Sequence, residues 1–403
     1  MEKIQKESRF AKTAGRYTKG GSELNFKPAF PFIISIFLLT GCWGARNIDQ
    51  LVYIDAIGVD YKDHHFIVYV QLISFTGLAK VETGGAQEKT SVAVGKFTGE
   101  TFNIATDELY TSIQRMVSWG HVKSIVFTKR ALKKVVLEDV LDILDRYNEI
   151  RPTLWVYATD EPLKKIFEAT PLLHTTPFYS LLSNPEELFQ QSSFIRPIRL
   201  NRFVADMDED SKTARLPYLN IASRSWAENE KEKPMLNVKG ICFVDHYELQ
   251  QCIDRSKLLG IRWFEKDISR TPIYVKKGNK VVASIVILKP KPKISYQIKG
   301  NTPVFNIKVS GKGSVVELRE KLTEKQLIRL AQKTVEEEIR SLYKLGLKYD
   351  MDILNLSEAM YRQKPEDWKK FSENGKIPLT DENLKKIKVK ISIDTSGKEK
   401  FRQ

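Results

Sequence analysis

Cysteine is nearly missing from this chain: Cys42, Cys242 and Cys252 are three in 403 residues. That is too few for a disulfide framework, and no Cys-x-x-Cys pair is present for zinc or redox work. Histidine is as sparse. His64, His65, His121, His174 and His246 include no His-x-x-x-His, so no metal-ligand spacing exists. His64-His65 falls in a polar stretch where a solvated turn is expected. Phosphate-binding loops fail as well. Val94-Gly95-Lys96-Phe97-Thr98 carries the Gly-Lys of a P-loop, but Thr90 stands where the leading glycine belongs and Phe97 where Ser or Thr should follow the lysine. No dinucleotide fingerprint opens a helix, and no Gly-x-Ser-x-Gly elbow occurs. A paired-carboxylate hydrolase would leave no linear motif, and nothing here favours one. The expectation is a protein without catalytic residues, metal or cofactor. Long apolar runs are missing too, with one exception. Pro28 to Leu39 holds about a dozen such residues, against the roughly 20 that a spanning helix needs.

That exception sits in a recognisable order of segments. Ahead of it lie Lys3, Lys6, Arg9, Lys12, Arg16, Lys19 and Lys27 against Glu2, Glu7 and Glu23, a net +4. A basic segment before a short apolar one is a secretory signal. Leu39-Thr40-Gly41-Cys42 follows at once. It resembles the bacterial lipobox, in which small residues at Thr40 and Gly41 admit the signal peptidase after Leu39. The Cys42 thiol takes a diacylglyceryl group as a thioether, and two or three acyl chains anchor stably where one does not. Residues 1–41 are therefore expected to be a signal peptide with a long basic leader. The leader suggests either a start codon set too far upstream or a regulatory cytoplasmic extension. Residues 42–48 are expected to be a lipid-anchored tether. Removing 1–41 leaves +11 of the formal +15, a balance suited to anionic headgroups. An exported, tethered chain has little occasion to meet nucleic acid.

Apolar residues at 42% and charged residues at 29% are those of folded globular domains, and 403 residues call for two or three of them. Leu51–Val59 and Phe66–Ile73 read as a hairpin across the turn 60–65. Thr76–Thr90 reads as a loop and Ser91–Thr98 as a strand. A helix carries Ala105, Leu109, Ile113, Met116 and Val117, with Asn103 as its N-cap. Strands at Val122–Thr128 and Pro152–Ala158 flank a helix through Val136, Val140, Leu144 and Tyr147, and a short helix covers Leu163–Ala169. This alternation predicts βαβ units. From Thr170 the periodicity fades through four prolines to the charge run Ala227–Lys233, so a boundary is expected near 232. Beyond it Met235–Val244, Ile273–Leu288 with a Gly278-Asn279 turn, Ile294–Ile298, Val304–Val309 and Ile387–Ile393 are strands. Lys289-Pro290-Lys291-Pro292-Lys293 should break the sheet as an extended connector, or else bind acidic headgroups or an acidic loop. Thr323 and Gln326 form a capping box for a long helix ending at Gly346, and Asp352–Tyr361 is a second helix. The expected fold class is mixed α/β or α+β and multi-domain: a mixed α/β part over 49–231, then an antiparallel sheet with a long helix over 232–403. Cys242 and Cys252 admit two readings, a short-loop disulfide or buried thiols.

Taken in order, several segments resemble the Ger(x)C family, the C subunits of spore germinant receptors. They are Leu39–Trp43 with Arg46 and Ile48, Asp55-Ala56-Ile57-Gly58-Val59-Asp60, Gly99–Arg115, Trp119–Lys123, Lys239–Phe243, Leu258–Trp263, Gly313, Glu317, Lys348–Ile353 and Trp368. The acidic residue usual after the Trp is replaced by Gly44. The resemblance implies a mixed α/β fold of about three domains and a non-enzymatic, lipid-anchored subunit of a nutrient-sensing complex. That complex sits on the outer face of the spore's inner membrane, with two kinds of membrane-embedded subunit, A-type and B-type, as partners. A lipid-anchored solute-binding protein of an importer shares the lipobox but calls for two similar α/β lobes. An envelope hydrolase would need a carboxylate pair.

Overall fold

The computed structural model describes residues 51–73, 92–147, 149–174, 177–265 and 267–395. Leu39, Thr40, Gly41 and Cys42, the whole leader and tether, and the loop 76–90 lie outside the described residues. The N-terminal elements are β1 (Leu51–Lys62), β2 (His65–Ile73), β3 (Val92–Gly99), α1 (Phe102–Ser112), β4 (Met116–Ser118), β5 (Ser124–Thr128), α2 (Lys134–Arg146), β6 (Trp155–Thr159), α3 (Leu163–Glu168), α4 (Pro185–Gln191), β7 (Ile198–Arg199), α5 (Leu200–Met207) and β8 (Ala214–Ala222). Then come β9 (Ala227–Glu228), β10 (Lys231–Glu232), β11 (Met235–Asp245), β12 (Glu248–Asp254), β13 (Arg270–Lys277), β14 (Lys280–Lys299), β15 (Thr302–Leu318), α6 (Glu324–Lys348), α7 (Leu356–Gln363), α8 (Pro365–Phe371) and β16 (Leu384–Thr395).

The first hairpin forms as expected, β1 against β2, with Lys62 opposite His65. Its turn residues Asp63 and His64 both take positive φ, 53° and 62°, the geometry that matches strand twist in a two-residue turn. Among the described residues the first sheet has ten strands, in the order β12-β11-β8-β6-β5-β1-β2-β3, with β4 beside β1 and β7 beside β6. Its centre, β1, β5, β6 and β8, is parallel and its flanks are antiparallel. Central strands covered on both faces must be apolar throughout, and β5 and β6 are buried at every position. α1, α2 and α5 cover one face, through Phe102, Leu109, Val140 and Phe203. α3 covers the other, through Leu163, Ile166 and Phe167.

Several expectations shift here. The α1 N-cap is Thr101, whose hydroxyl accepts from the Ile104 N–H at 3.2 Å, while Asn103 donates instead to Asp107. Met116 and Val117 leave the helix and pair with Leu51 and Val52 as the parallel strand β4. The segment read as long connections contains α4, α5 and β8, an inner strand of the sheet. β8 was hidden because Arg215 and Pro217 interrupt its apolar run. The charge run forms a two-strand ribbon, β9 with β10.

Nor does the sheet stop near 232. β11 pairs with β8 and with β12, so the first sheet runs to Asp254. Alternation along β11 explains the continuity. Cys242 and Val244 enter the core under α2, whereas Ile241 and Phe243 enter the core of the second sheet. Two adjacent cores share one strand, and no linker separates them.

The second sheet, β13-β14-β15-β16, is packed against α6. Both expected turns are present, with Lys277 opposite Lys280 and Lys299 opposite Thr302. The closing strand differs from expectation: β16 lies parallel to β15, because α6 to α8 return the chain to the starting edge, as a parallel pair requires. The capping box at Thr323 and Gln326 is present in full. Thr323→Ala is expected to destabilise by about 1 kcal/mol, measured as a lower urea midpoint. Gly346 does not stop this helix but lies inside it, where a Cβ would come 2.6 Å from the Met351 carbonyl oxygen. Asp350, at φ 52°, makes the turn out.

Candidate functional site

Most of the segments singled out in the sequence prove to be places where elements are locked together. In β1, Ala56, Ile57 and Val59 are fully buried, and a Cβ on Gly58 would sit 3.0 Å from the Phe167 ring. The two aspartates bound this run. Asp60 accepts from the Thr128 hydroxyl at 2.6 Å and from Arg130 Nη2 at 2.5 Å and Nε at 3.1 Å, which ties β1 to the end of β5. Asp55 is buried at the other end, where the Ser183 hydroxyl donates to it at 2.9 Å. Burial pushes the Asp55 carboxyl up to about 6, against the lowering effects of Ser183 and the Lys123 cation.

Trp119-Gly120-His121 forms a packed corner. The Trp119 indole N–H donates to the Tyr110 hydroxyl at 2.8 Å, and His121 stacks edge-on against Tyr53 with 4.7 Å between centroids. His64 and His65 are exposed in their turn. Cys242 and Cys252 lie directly opposite each other on β11 and β12 and are joined as a disulfide.

The deepest junction is built by Leu258–Trp263 against α6. Leu258 and Ile261 are fully buried, and Gly260 passes so close that a Cβ would meet the Glu338 carbonyl oxygen at 2.5 Å. Arg262, 3% exposed, reaches both Glu338 carboxylate oxygens through Nη2, at 2.7 and 2.9 Å. The Trp263 indole N–H donates to the same carboxylate at 2.8 Å. Burial pushes the Glu338 carboxyl up, opposed by Arg262 and Trp263. Beside it Arg215 of β8 pairs with Glu265 at 2.8 Å and donates to the Ile353 carbonyl at 2.6 Å. Asp352 is buried and accepts from the Leu356 and Ser357 N–H groups at 2.9 and 2.7 Å, capping α7 from four residues upstream. These partners were not recognised in the sequence, although one signal was there. Glu338 falls on the stripe of Ala331, Val335 and Leu342, a carboxylate on the apolar face of an amphipathic helix.

A cleft of about 640 Å³ opens where the two sheets meet, lined by Trp155, Arg199, Lys212, Arg215, Pro292 and Glu358 among others. Most of its cations are already matched. Lys212 pairs with Asp206 at 2.7 Å, Arg362 with Glu358 at 2.8 Å and Arg196 with Asp267 at 2.8 Å, and Arg199 lies 3.4 Å above the Trp155 ring. Paired charges of this kind hold walls together and leave little net field for a charged solute. No group of three or more His, Cys, Asp or Glu side chains that would hold a metal ion occurs among the described residues. No described helix is long and apolar enough to cross a membrane.

Two family models match the chain. The spore germination protein N-terminal domain covers residues 44–221, and the spore germination B3/GerAC-like C-terminal domain covers 239–397. The division between them falls in the β8–β11 connection. Spore germination protein KC of Bacillus subtilis (strain 168) is 23% identical over 364 residues, 85% of this chain and 88% of that protein. The putative spore germination protein YfkR of the same organism is 25% identical over 301 residues, 72% of this chain and 74% of that one. The crystal structure of the GerBC protein aligns with a TM-score of 0.49 at 17% identity, covering 83% of this chain and 96% of the other.

Proposed function

Since the chain belongs to the GerAC-like spore germination family, matched over both of that family's domains, we propose that it is the lipid-anchored C subunit of a spore germinant receptor. It works at the outer face of the spore's inner membrane, beside an A-type and a B-type membrane-embedded subunit, and carries the nutrient signal without catalysing a reaction. The observation that carries this reading is positional. The lipobox Leu39-Thr40-Gly41-Cys42 ends two residues before the family match begins at residue 44. Cleavage there would place the lipid-bearing Cys42 immediately ahead of the matched region, as its tether. The interior supports a docking role, because its ionisable groups are spent on joining elements. The importer reading called for two similar lobes, and the two sheets differ in strand order and in the placement of their helices.

Cys42→Ala in the full chain, expressed in its own spore-forming host, tests the proposal. Without the thiol no diacylglyceryl thioether forms, and the loss of two acyl chains removes stable anchoring. The protein is expected to move from the spore membrane fraction to the soluble fraction, and germination triggered by mixed amino acids and sugars is expected to slow. A fully soluble protein with an unchanged nutrient response would overturn the reading.

A further inference from the structure

The outward face of the second sheet carries lysines in register. Lys293 of β14 lies directly opposite Lys308 of β15, which lies directly opposite Lys388 of β16. One row along, Lys291 and Lys390 flank Ser310, and on the other side Lys386 is opposite Asn306. The core face of the same strands is apolar, with Ile307, Val309, Ile387 and Ile391 buried under α6. All six lysines are exposed. Like charges directly opposite on neighbouring strands are destabilising, and among the described residues no carboxylate is paired with these six. Where Lys299 and Lys385 approach each other, the neighbouring amine lowers the affinity of Lys299 for its proton.

The chain makes this face with a device that the sequence disguised. Lys289-Pro290-Lys291-Pro292-Lys293 does not break β14 but passes through it as a bulge, with Lys289 at φ 41° and the register shifting between Leu288 and Lys291. The extra residue reverses the side-chain alternation. Without it, Lys291 and Lys293 would point into the core; with it, Pro290 is buried and both lysines face outward.

We infer that this three-strand lysine face rests on a bilayer surface bearing anionic phospholipid headgroups. Charge complementarity selects the occupant. Strands about 4.8 Å apart hold the ammonium groups on a broad grid with serine and asparagine between them. The six lysine positions and these neighbours include no aromatic or arginine anchor of the kind that a protein interface is built around. Stacking groups for nucleic-acid bases are likewise missing from those positions. Lysine is a mobile point charge on a flexible stem, suited to diffuse headgroups rather than to a shaped partner. The inference deepens the membrane placement proposed above and rests on it for its biological setting, although the binding itself does not need the lipid anchor.

The test uses the mature chain, residues 42–403, carrying Cys42→Ala, so that neither an acyl group nor the apolar leader contributes. Binding is measured by co-sedimentation with vesicles of phosphatidylcholine alone, or of two parts phosphatidylcholine to one part phosphatidylglycerol. Adding Lys293→Gln, Lys308→Gln and Lys388→Gln is expected to weaken binding to the mixed vesicles about a hundredfold. Raising the salt should remove most of the difference. A charge-matched control, Lys321→Gln, Lys325→Gln and Lys344→Gln near and on α6, should stay within about threefold of the parent, because its lysines are not on the docking face. The sheet variant should melt no lower than the parent, since it relieves repulsion, so weaker binding reports on lipid and not on unfolding. Equal losses in both triple variants, equal binding to neutral vesicles, or retention on heparin without vesicle binding would each overturn the inference. Unchanged vesicle binding alongside the Cys42→Ala germination defect would remove the lysine face and leave the receptor reading standing. A lysine effect without that defect would do the reverse.

Discussion

Arg262→Ala is expected to destabilise the protein by about 3–5 kcal/mol, the usual result of stranding one member of a buried ion pair. The Glu338 carboxylate would lose both Nη2 contacts and keep only the Trp263 indole N–H. Its burial already pushes its pKa up, so it is expected to take up a proton rather than stay charged. The readout is the urea midpoint at neutral pH. Glu338→Gln should cost less, since the amide oxygen can still accept from Trp263. The diagnostic variant is the double replacement Arg262→Met with Glu338→Leu. It removes both charges and keeps the volume, so it should recover most of the stability lost by either truncation. If the two single losses simply added in the double variant, Arg262 and Glu338 would not be acting as a pair. The location gives the pair its importance. Leu258–Trp263 leads from the last strand of the first sheet to the second, and α6 is the helix that the second sheet is built on. Both sides of the junction should therefore weaken together.

Asp55→Asn is expected to act in the opposite direction. In the folded protein the Asp55 carboxyl titrates at about 6, against an ordinary value of 3.8. Between those values the folded state holds a proton that the unfolded chain has released. The contribution is thus fully present below about pH 4 and is lost as pH rises to about 6, on the order of 3 kcal/mol. Asparagine cannot ionise, and its carbonyl can still accept from the Ser183 hydroxyl. The variant should match the parent near pH 4, lack its decline between pH 4 and 6, and be more stable by about 1–3 kcal/mol at neutral pH. Ser183→Ala should push the Asp55 pKa higher still and carry the decline further into the neutral range. Urea midpoints measured across pH check both. A parent curve with the same slope as the Asn variant would mean that Asp55 is solvated in the folded protein.

Much of the local structure was legible beforehand because its signals are short-range. The β1–β2 hairpin, the Gly278-Asn279 and Gly300-Asn301 turns and the Thr323–Gln326 capping box each depend on residues within a few positions of one another. Where the reading went astray, a distant partner decided the outcome. Met116 and Val117 continue a helical period, but Leu51 and Val52 offered a parallel edge and drew them into β4. β8 looks like loop because Arg215 and Pro217 interrupt its apolar run, and the partners of Arg215, Glu265 and the Ile353 carbonyl, lie far along the chain. The boundary expected near 232 followed a real change of composition, which the division between the two family models also follows. Hydrogen bonding ignores it, since β11 presents alternate side chains to two cores. Gly346 and Lys289–Lys293 were judged by their residue types alone, as a stop and a breaker. In the fold the first makes room for the Met351 backbone, and the second is a bulge.

Contiguous residues were enough to set the order of secondary structure over most of the chain and the family. They also marked Cys42 as the expected lipid site. Which charges meet depends on the folded chain. Arg262 finds Glu338 across 76 positions, Asp55 finds Ser183 across 128, and Lys293, Lys308 and Lys388 form one row from three strands. Such pairings depend on strand register and on a single bulge residue, and shifting a strand by one position turns every side chain to the other face.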